Sequence, residues 1–562
     1  MKFSEMPYAR PDTETVKKQL TKLTERLKNA GTYEEARAAF LEEQKASLAV
    51  ETQATLASIR HSIDTRDTFY DEEEKFWNTF SPELEEYQQA WKAAMLESKF
   101  RPEFTAEYGD LMFVNAEIAR KCFTPEIIPE MQQENDLVQA YEKLLASAQI
   151  PFEGKTYTLS QLTPLKSDPD DARRLAAWQA DAKWSMEHAA ELDELYDKLV
   201  HLRDSMGRKM GYEGYTTLGY YRMSRNCYTK EDVEKFRTAV QKYLVPVADK
   251  ICRRQAERLG KSYPLSFADL ALEFRSGNPC PVGTPDDILA QGMKFYGELS
   301  PETKEFFRTM LDNELLDVLS TEGKQGGGYC TSLGEYEVPF IFANFNGTQH
   351  DVEVVTHEAG HAFADWTNRK RIPSSYIWPT LEGCEVHSMS MEFFAWPWAE
   401  GFFGPDTRKF LYSHLAGALT FIPYGTMVDH FQHIVYEKPD MTPAERKAAW
   451  LELEHQYRPH ISMDGMTYLE EGTRWQYQMH IYESPFYYID YCLAQTAAFD
   501  FLLASQEDYD DAFARYIRLS KQGGEKLWTD LLPEAGFRSP FTPGALKELA
   551  EKVEALLEKI KV

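Results

Sequence analysis

The chain has 562 residues, 43% hydrophobic and 13% aromatic, which is enough for a sizeable core and, by length alone, for about three to five ordinary domains. Its 90 acidic against 62 basic residues give a formal net charge of -28, a field that repels nucleic acid and anionic membrane surfaces and otherwise serves solubility. Seven cysteines are scattered singly, the start "MKFSEMPYARPD" has no apolar leader, and no segment reaches the roughly 18 apolar residues of a membrane span, so a cytoplasmic protein with free thiols is expected.

From residue 13 to about 148 the pattern is helical almost throughout. Val16, Leu20, Leu23 and Leu27 recur at three- and four-residue intervals, and Thr32 with Glu35 has the spacing of a capping box. "FEGKTYTL", 152 to 159, reads as a small hairpin turning at Glu153 and Gly154. Helix resumes after "SDPDD", with Asp168 placed to cap and Pro169 at the first helical position. Between about 320 and 350 a glycine-rich loop leads into "VPFIFANF", a β-prone run ended by Asn and Gly. Three further helical stretches, a tyrosine-rich segment at 482 to 491 and an amphipathic terminal helix complete a mainly α chain with one small sheet.

Directly after that sheet comes "VVTHEAGHAFADW", 354 to 366. Residues four apart share a helix face, so His357 and His361 can present two imidazoles to one cation. Glu358, rotated by about 100°, can reach a water on that cation and take its proton. Ala359, Gly360, Ala362 and Ala364 are small, as in a helix packed closely against its neighbours, and ten of the 13 histidines fall between 350 and 480. A catalytic zinc commonly has three protein ligands and an open position. A third histidine in extended spacing is absent, since Thr367 stands there; the next segment, "TLEGCEVHSMSMEFFAW", supplies Glu382, Glu385, His387 and Glu392. Glu385, Met389 and Glu392 share one face, and Glu385 is the expected ligand. Glu392 is either an acceptor that orients a ligating histidine or part of a solvated face, and Asp365 is a second candidate for such an orienting role. Asp429, His430 and His433 form another cluster, read as structural or groove-lining rather than as a second metal site.

These two segments resemble the M3 family of zinc oligopeptidases, the thimet oligopeptidase and oligoendopeptidase F group, with bacterial Pz-peptidase-type members the nearest in character. "GRKMGYEGYTTLGYYRMSR" at 207 to 225 and "GGGYCTSL" with "PFIFANFNGT" between 326 and 348 extend the likeness over roughly 200 to 500. The resemblance implies one Zn2+ per chain on His357, His361 and Glu385. His387 replaces the proline that the thimet branch often has after its glutamate, which favours the oligoendopeptidase F side. It also implies that His480 binds or polarises the substrate carbonyl, that Tyr491 donates its phenol to the oxyanion, and that Tyr488 contacts substrate; Tyr482 and Tyr487 rank below these.

The implied fold is the mainly α, neurolysin-like zincin fold, with a small β-sheet beside the HExxH helix and two halves flanking a deep substrate channel. Residues 1–200 are expected to form part of the channel wall and 201–562 the catalytic region, its zinc core at about 335–500. "VPFIFANF" is a candidate edge strand for pairing with an extended peptide, although a plain core strand fits it too. The implied function is zinc-dependent cleavage within short unstructured oligopeptides, with Pz-peptidase likeness pointing to proline-containing, collagen-like ones. The competitors are a carboxydipeptidase using the same chemistry and a non-catalytic peptide-binding protein with structural zinc.

Overall fold

A computed structural model describes residues 1–562. The N-terminal helices form where their caps and apolar spacing direct. Helix α1 (Thr13–Lys28) starts at Asp12, whose side chain accepts from the Thr15 amide, and buries Val16, Leu20, Leu23 and Leu27. Helix α2 (Tyr33–Ile63) opens with the Thr32–Glu35 capping box, and α3 (Thr68–Leu96) is capped by Asp67. These three pack around two small cores of their own, one holding Phe40, Trp91 and Phe104 and the other Trp77, Phe80 and Leu84.

Strands β1 (Ile150–Phe152) and β2 (Lys155–Tyr157) form the expected hairpin, with Glu153 and Gly154 both at positive φ, as a two-residue turn of this twist requires. Helix α4 (Asp171–Lys209) starts later than expected. Asp170, not Asp168, accepts from the Arg173 amide, while Asp168 accepts from the Asp170 amide and Pro169 stays outside the helix. A short helix, α5 (Tyr215–Arg222), follows in the "GYTTLGYYR" segment. A two-residue parallel pair, β3 (Leu265–Ser266) with β7 (Ile461–Ser462), ties distant segments together.

The functional sheet is β4 (Leu316–Leu319), β5 (Tyr329–Leu333) and β6 (Val338–Phe345) in the order β4-β6-β5, with β4 parallel and β5 antiparallel to β6. "VPFIFANF" is therefore the central strand and not the edge strand considered above. Phe340, Ile341, Phe342 and Ala343 are all buried, because a strand covered on both faces carries a continuous apolar run. The two edges are β4 and β5, the latter written by "YCTSL".

Helix α6 (His350–Asn368) carries the HExxH segment and crosses α7 (Leu381–Phe394) closely. A Cβ on Gly360 would lie 2.7 Å from the Ser388 Cα and 2.8 Å from the His387 carbonyl oxygen, so only glycine permits this approach. Between α7 and Tyr457 the chain forms three more helices, Ala399–Phe403, α8 (Thr407–Glu437) and Pro443–Tyr457, so this region is more divided than its periodicity predicts. The tyrosine-rich segment spans α9 (Met479–Glu483) and α10 (Tyr488–Glu507), and the terminal helix α11 covers Ala545–Leu557. Helices α6 to α10 share the largest core of the molecule. No helix is long and apolar enough to cross a membrane, and all seven cysteines are free.

Candidate metal centre and active site

A cavity of about 710 Å³ opens between α2, β5, α6, α7, α9 and α10. His357, Glu358, His361, Glu385, His480 and Tyr491 all line it. Tyr488 does not. It faces a neighbouring cavity of about 370 Å³, of which His480 and Tyr491 form the common wall.

His357 Nε2 and His361 Nε2 each lie 3.4 Å from the same Glu385 oxygen, Oε2. No other His, Cys, Asp or Glu group converges in this way. Ligand atoms on a tetrahedral zinc with bonds of about 2.0–2.1 Å stand about 3.3–3.4 Å apart, which is the separation of each imidazole nitrogen from the carboxylate oxygen, and all three atoms lie within 4.8 Å of one another. Glu385 is 1% exposed, its Oε1 accepts from the Tyr487 hydroxyl at 2.5 Å, and its Oε2 also accepts from the Ser388 hydroxyl at 3.0 Å. Burial alone would raise the Glu385 pKa, but the two facing imidazoles outweigh it and hold the carboxyl well below the usual range.

Glu392 does not lie on a solvated face. Its Oε1 is 2.6 Å from His357 Nδ1 and its Oε2 is 2.7 Å from His414 Nε2. The indole N–H of Trp396 donates to His414 Nδ1 at 2.9 Å. An indole nitrogen only donates, so the His414 proton sits on Nε2 and points at Glu392. Burial opposes ionisation of Glu392, yet the two histidines pull its pKa down to about 2. His357 is partly buried, and its bonds to Glu385 and Glu392 overcome the cost of desolvation and raise its pKa well above the ordinary value. The His361 Nδ1 atom is buried with no partner.

Glu358 is 8% exposed and has its pKa raised by burial, against the pull of His357 and His361. It faces the cavity below Gly328, where an added Cβ would stand 3.7 Å from Glu358 Oε1 and 3.3 Å from the Phe342 carbonyl oxygen. One of the three consecutive glycines thus keeps the start of the edge strand open above the carboxylate. His480 Nε2 is 3.2 Å from the Tyr491 hydroxyl, and its Nδ1 is 3.1 Å from Gln478 Nε2. Burial lowers the His480 pKa to about 4, which keeps the ring neutral.

The other candidates separate cleanly. Tyr487, ranked below Tyr488 by sequence, is the tyrosine that touches Glu385. Tyr482 is a core residue, stacked on Tyr141 with its hydroxyl on the Leu192 carbonyl. Asp365 orients no histidine; its carboxylate accepts from Ser332 of β5, whose hydroxyl accepts in turn from the Trp378 indole at 2.8 Å. His387 is buried against Tyr516 with neither ring nitrogen bonded, and burial pushes its pKa down to about 3. His433 pairs with Tyr220 at 3.0 Å and His430 with Tyr457 at 3.1 Å, which accounts for that cluster as packing. Burial raises the Cys330 and Cys384 thiols well above the usual value, as expected of packed thiols.

Residues 3–123 match the model of the peptidase M3 N-terminal domain, and residues 302–551 that of peptidase family M3. Among solved structures, one named for oligoendopeptidase F is 43% identical at a TM-score of 0.99, over 100% of this chain and 99% of that one. Pz peptidase A, solved with an inhibitor, is 44% identical at a TM-score of 0.98, over 100% of both chains. A third, from Bacillus anthracis str. Ames and also named for oligoendopeptidase F, is 42% identical at 0.94, over 100% and 99%. Curated proteins give no match. With full-length relatives above 40% identity and the M3 models on both ends of the chain, this protein belongs to peptidase family M3 and is a metalloendopeptidase.

Proposed function

We propose that the protein holds one zinc on His357, His361 and Glu385 and hydrolyses internal bonds of short, unstructured oligopeptides. The observation that carries this is the meeting of the two Nε2 atoms and one carboxylate oxygen at 3.4 Å, with Glu358 facing the same cavity. A bound zinc supplies Lewis acidity, lowering the pKa of water and polarising the scissile carbonyl. Glu358 takes a proton from the attacking water as its oxygen bonds to the carbonyl carbon. Tyr491 donates to the oxygen that gains the electron pair, with His480 beside it. When the C–N bond breaks, Glu358 returns the proton to the leaving nitrogen.

The peptide lies along β5, whose other side is already paired with β6, and its backbone hydrogen bonds read no particular sequence. Helix α2 contributes Leu48, Glu51, Thr52 and Thr55 to the cavity, in keeping with residues 1–200 as one wall and 201–562 as the catalytic region. No lysine or arginine lines the cavity, whereas Glu51 and Glu483 do, besides Glu358 and Glu385. A carboxydipeptidase needs a cation to hold the terminal carboxylate, so this lining favours endopeptidase action. Tyr329, Trp378, Tyr487 and Tyr491 offer ring faces suited to proline, which supports extending the proposal to proline-containing peptides.

A quenched fluorescent oligopeptide amidated at its C-terminus tests the mode of cleavage. Internal cleavage at the rate of the free acid is expected; strict dependence on the free carboxylate would establish the dipeptidase reading instead. Glu392→Ala is expected to weaken zinc binding by about 10–100-fold, read by competition with a chelator, because His357 loses the acceptor that orients it.

A further inference from the structure

Phe486 lies between α9, which carries His480, and α10, which carries Tyr491, and it adopts φ +69°. A bulky residue in the left-handed region is strained and persists only where its surroundings dictate it. Here they do so on every side. Its amide donates to Gln432 Oε1 at 2.8 Å, and the Gln432 Nε2 donates to the Val428 carbonyl at 3.2 Å, which fixes the orientation of that amide. Its carbonyl accepts from Arg225 Nη2. Its ring is fully buried among Tyr215, Tyr220, His433 and Tyr436. A Cβ on Gly219 would stand 2.7 Å from that ring, so the glycine of "LGYYRMSR" is the space it occupies.

Arg225 is itself held firmly. Its Nε donates to Tyr228 at 2.8 Å, its Nη2 lies 3.4 Å from Asp490, and its guanidinium sits 4.2 Å over the Tyr220 ring. The Tyr228 hydroxyl donates to Asp490 as well. Asp490 is in the first turn of α10, so one buried guanidinium ties residue 486 to residue 490 across the start of the helix. Tyr487 and Tyr491 issue from that turn, the first to Glu385 and the second to His480. Arg225, Gln432 and Gly219 do not line the metal cavity.

We propose that Arg225, with Gln432 and Gly219, is a positioning device that holds Phe486 in the left-handed conformation and so sets the Tyr491 phenol at the reacting carbonyl. The proposal rests on the catalytic reading of Tyr491. The test measures kcat, KM, bound zinc and Tm for Arg225→Lys, which retains a charge for Asp490 but not the reach of the guanidinium fork, and for the milder Gln432→Met. Each is made in the native chain and in Tyr491→Phe, which itself is expected to lower kcat about 10²-fold. In the native background each variant lowers kcat by about tenfold with KM and zinc content kept; in Tyr491→Phe the loss shrinks to about threefold or less. An equal loss in both backgrounds, or none in either, overturns the device and leaves the role of Tyr491 intact. A Tyr491→Phe enzyme with unchanged kcat overturns that role and the device with it. Gln432→Met leaves the Arg225–Asp490 pair in place, so the cycle can be completed if Arg225→Lys does not fold.

Discussion

Glu358→Gln is expected to lower hydrolysis by about 10³–10⁴-fold while leaving bound zinc at the native level. The amide matches the carboxylate in shape and fits below Gly328 as the native side chain does, so neither the fold nor the approach of peptide to β5 changes. What disappears is the carboxylate next to His357 in the cavity that is not committed to the metal site, and with it the group assigned to take a proton from water and return it to the leaving nitrogen. Elemental analysis for zinc, a single-turnover assay and the affinity for an uncleaved peptide check the three parts of this claim. A protein that merely binds peptide around a structural zinc would keep its full activity in binding and show no hydrolysis to lose. If Glu358→Gln hydrolyses peptide at the native rate, the general-base assignment is wrong.

Glu385→Ala is expected to abolish both zinc retention and hydrolysis. The substitution removes the one oxygen shared by both imidazoles, and two histidines from a single helix do not complete a site. Stability gives a readout independent of activity. A metal that binds only the folded chain stabilises it by about 4 kcal/mol at a thousand times its dissociation constant. Chelation therefore lowers the Tm of the native protein and restoring zinc recovers it, whereas the Tm of Glu385→Ala is the same in both conditions. A variant that still takes up stoichiometric zinc and melts lower on chelation would show that the third ligand is another group.

His357, Glu358 and His361 were legible in the sequence because they lie on one helix at adjacent and four-residue spacing, where position along the chain and position in space coincide, whereas Glu385 lies on α7 and was reached as the carboxylate of the next segment and through the family resemblance. His414 was not legible. It lies on α8 and meets Glu392 across a helix packing, and no spacing marks that meeting. The resemblance ranks Tyr488 over Tyr487 for substrate contact; the structure puts Tyr487 in the metal cavity with its hydroxyl on Glu385 and Tyr488 in the neighbouring cavity, a difference that no residue spacing marks. The edge-strand expectation put weight on the most hydrophobic run, yet continuous apolar residues mark a strand covered on both faces. "YCTSL", with Thr331 and Ser332, had the mixed character of an edge all along. The mainly helical fold followed from caps and periodicity, and the miss at Asp168 reflects two aspartates competing for one helix start two residues apart.

The two cavities meet at the hydrogen bond between His480 and Tyr491. A polar group kept in a sheltered site with nothing to bond costs stability, of the order of 1–3 kcal/mol. By bonding each other, the imidazole and the phenol are satisfied in the resting protein, and under the proposed function each would exchange that partner for peptide when a chain enters. Part of the binding free energy thus goes into an exchange of partners, and the same bond re-forms as the fragments depart. Under that function the pair would act as a latch that favours the empty state, a property suited to an enzyme whose products are themselves peptides.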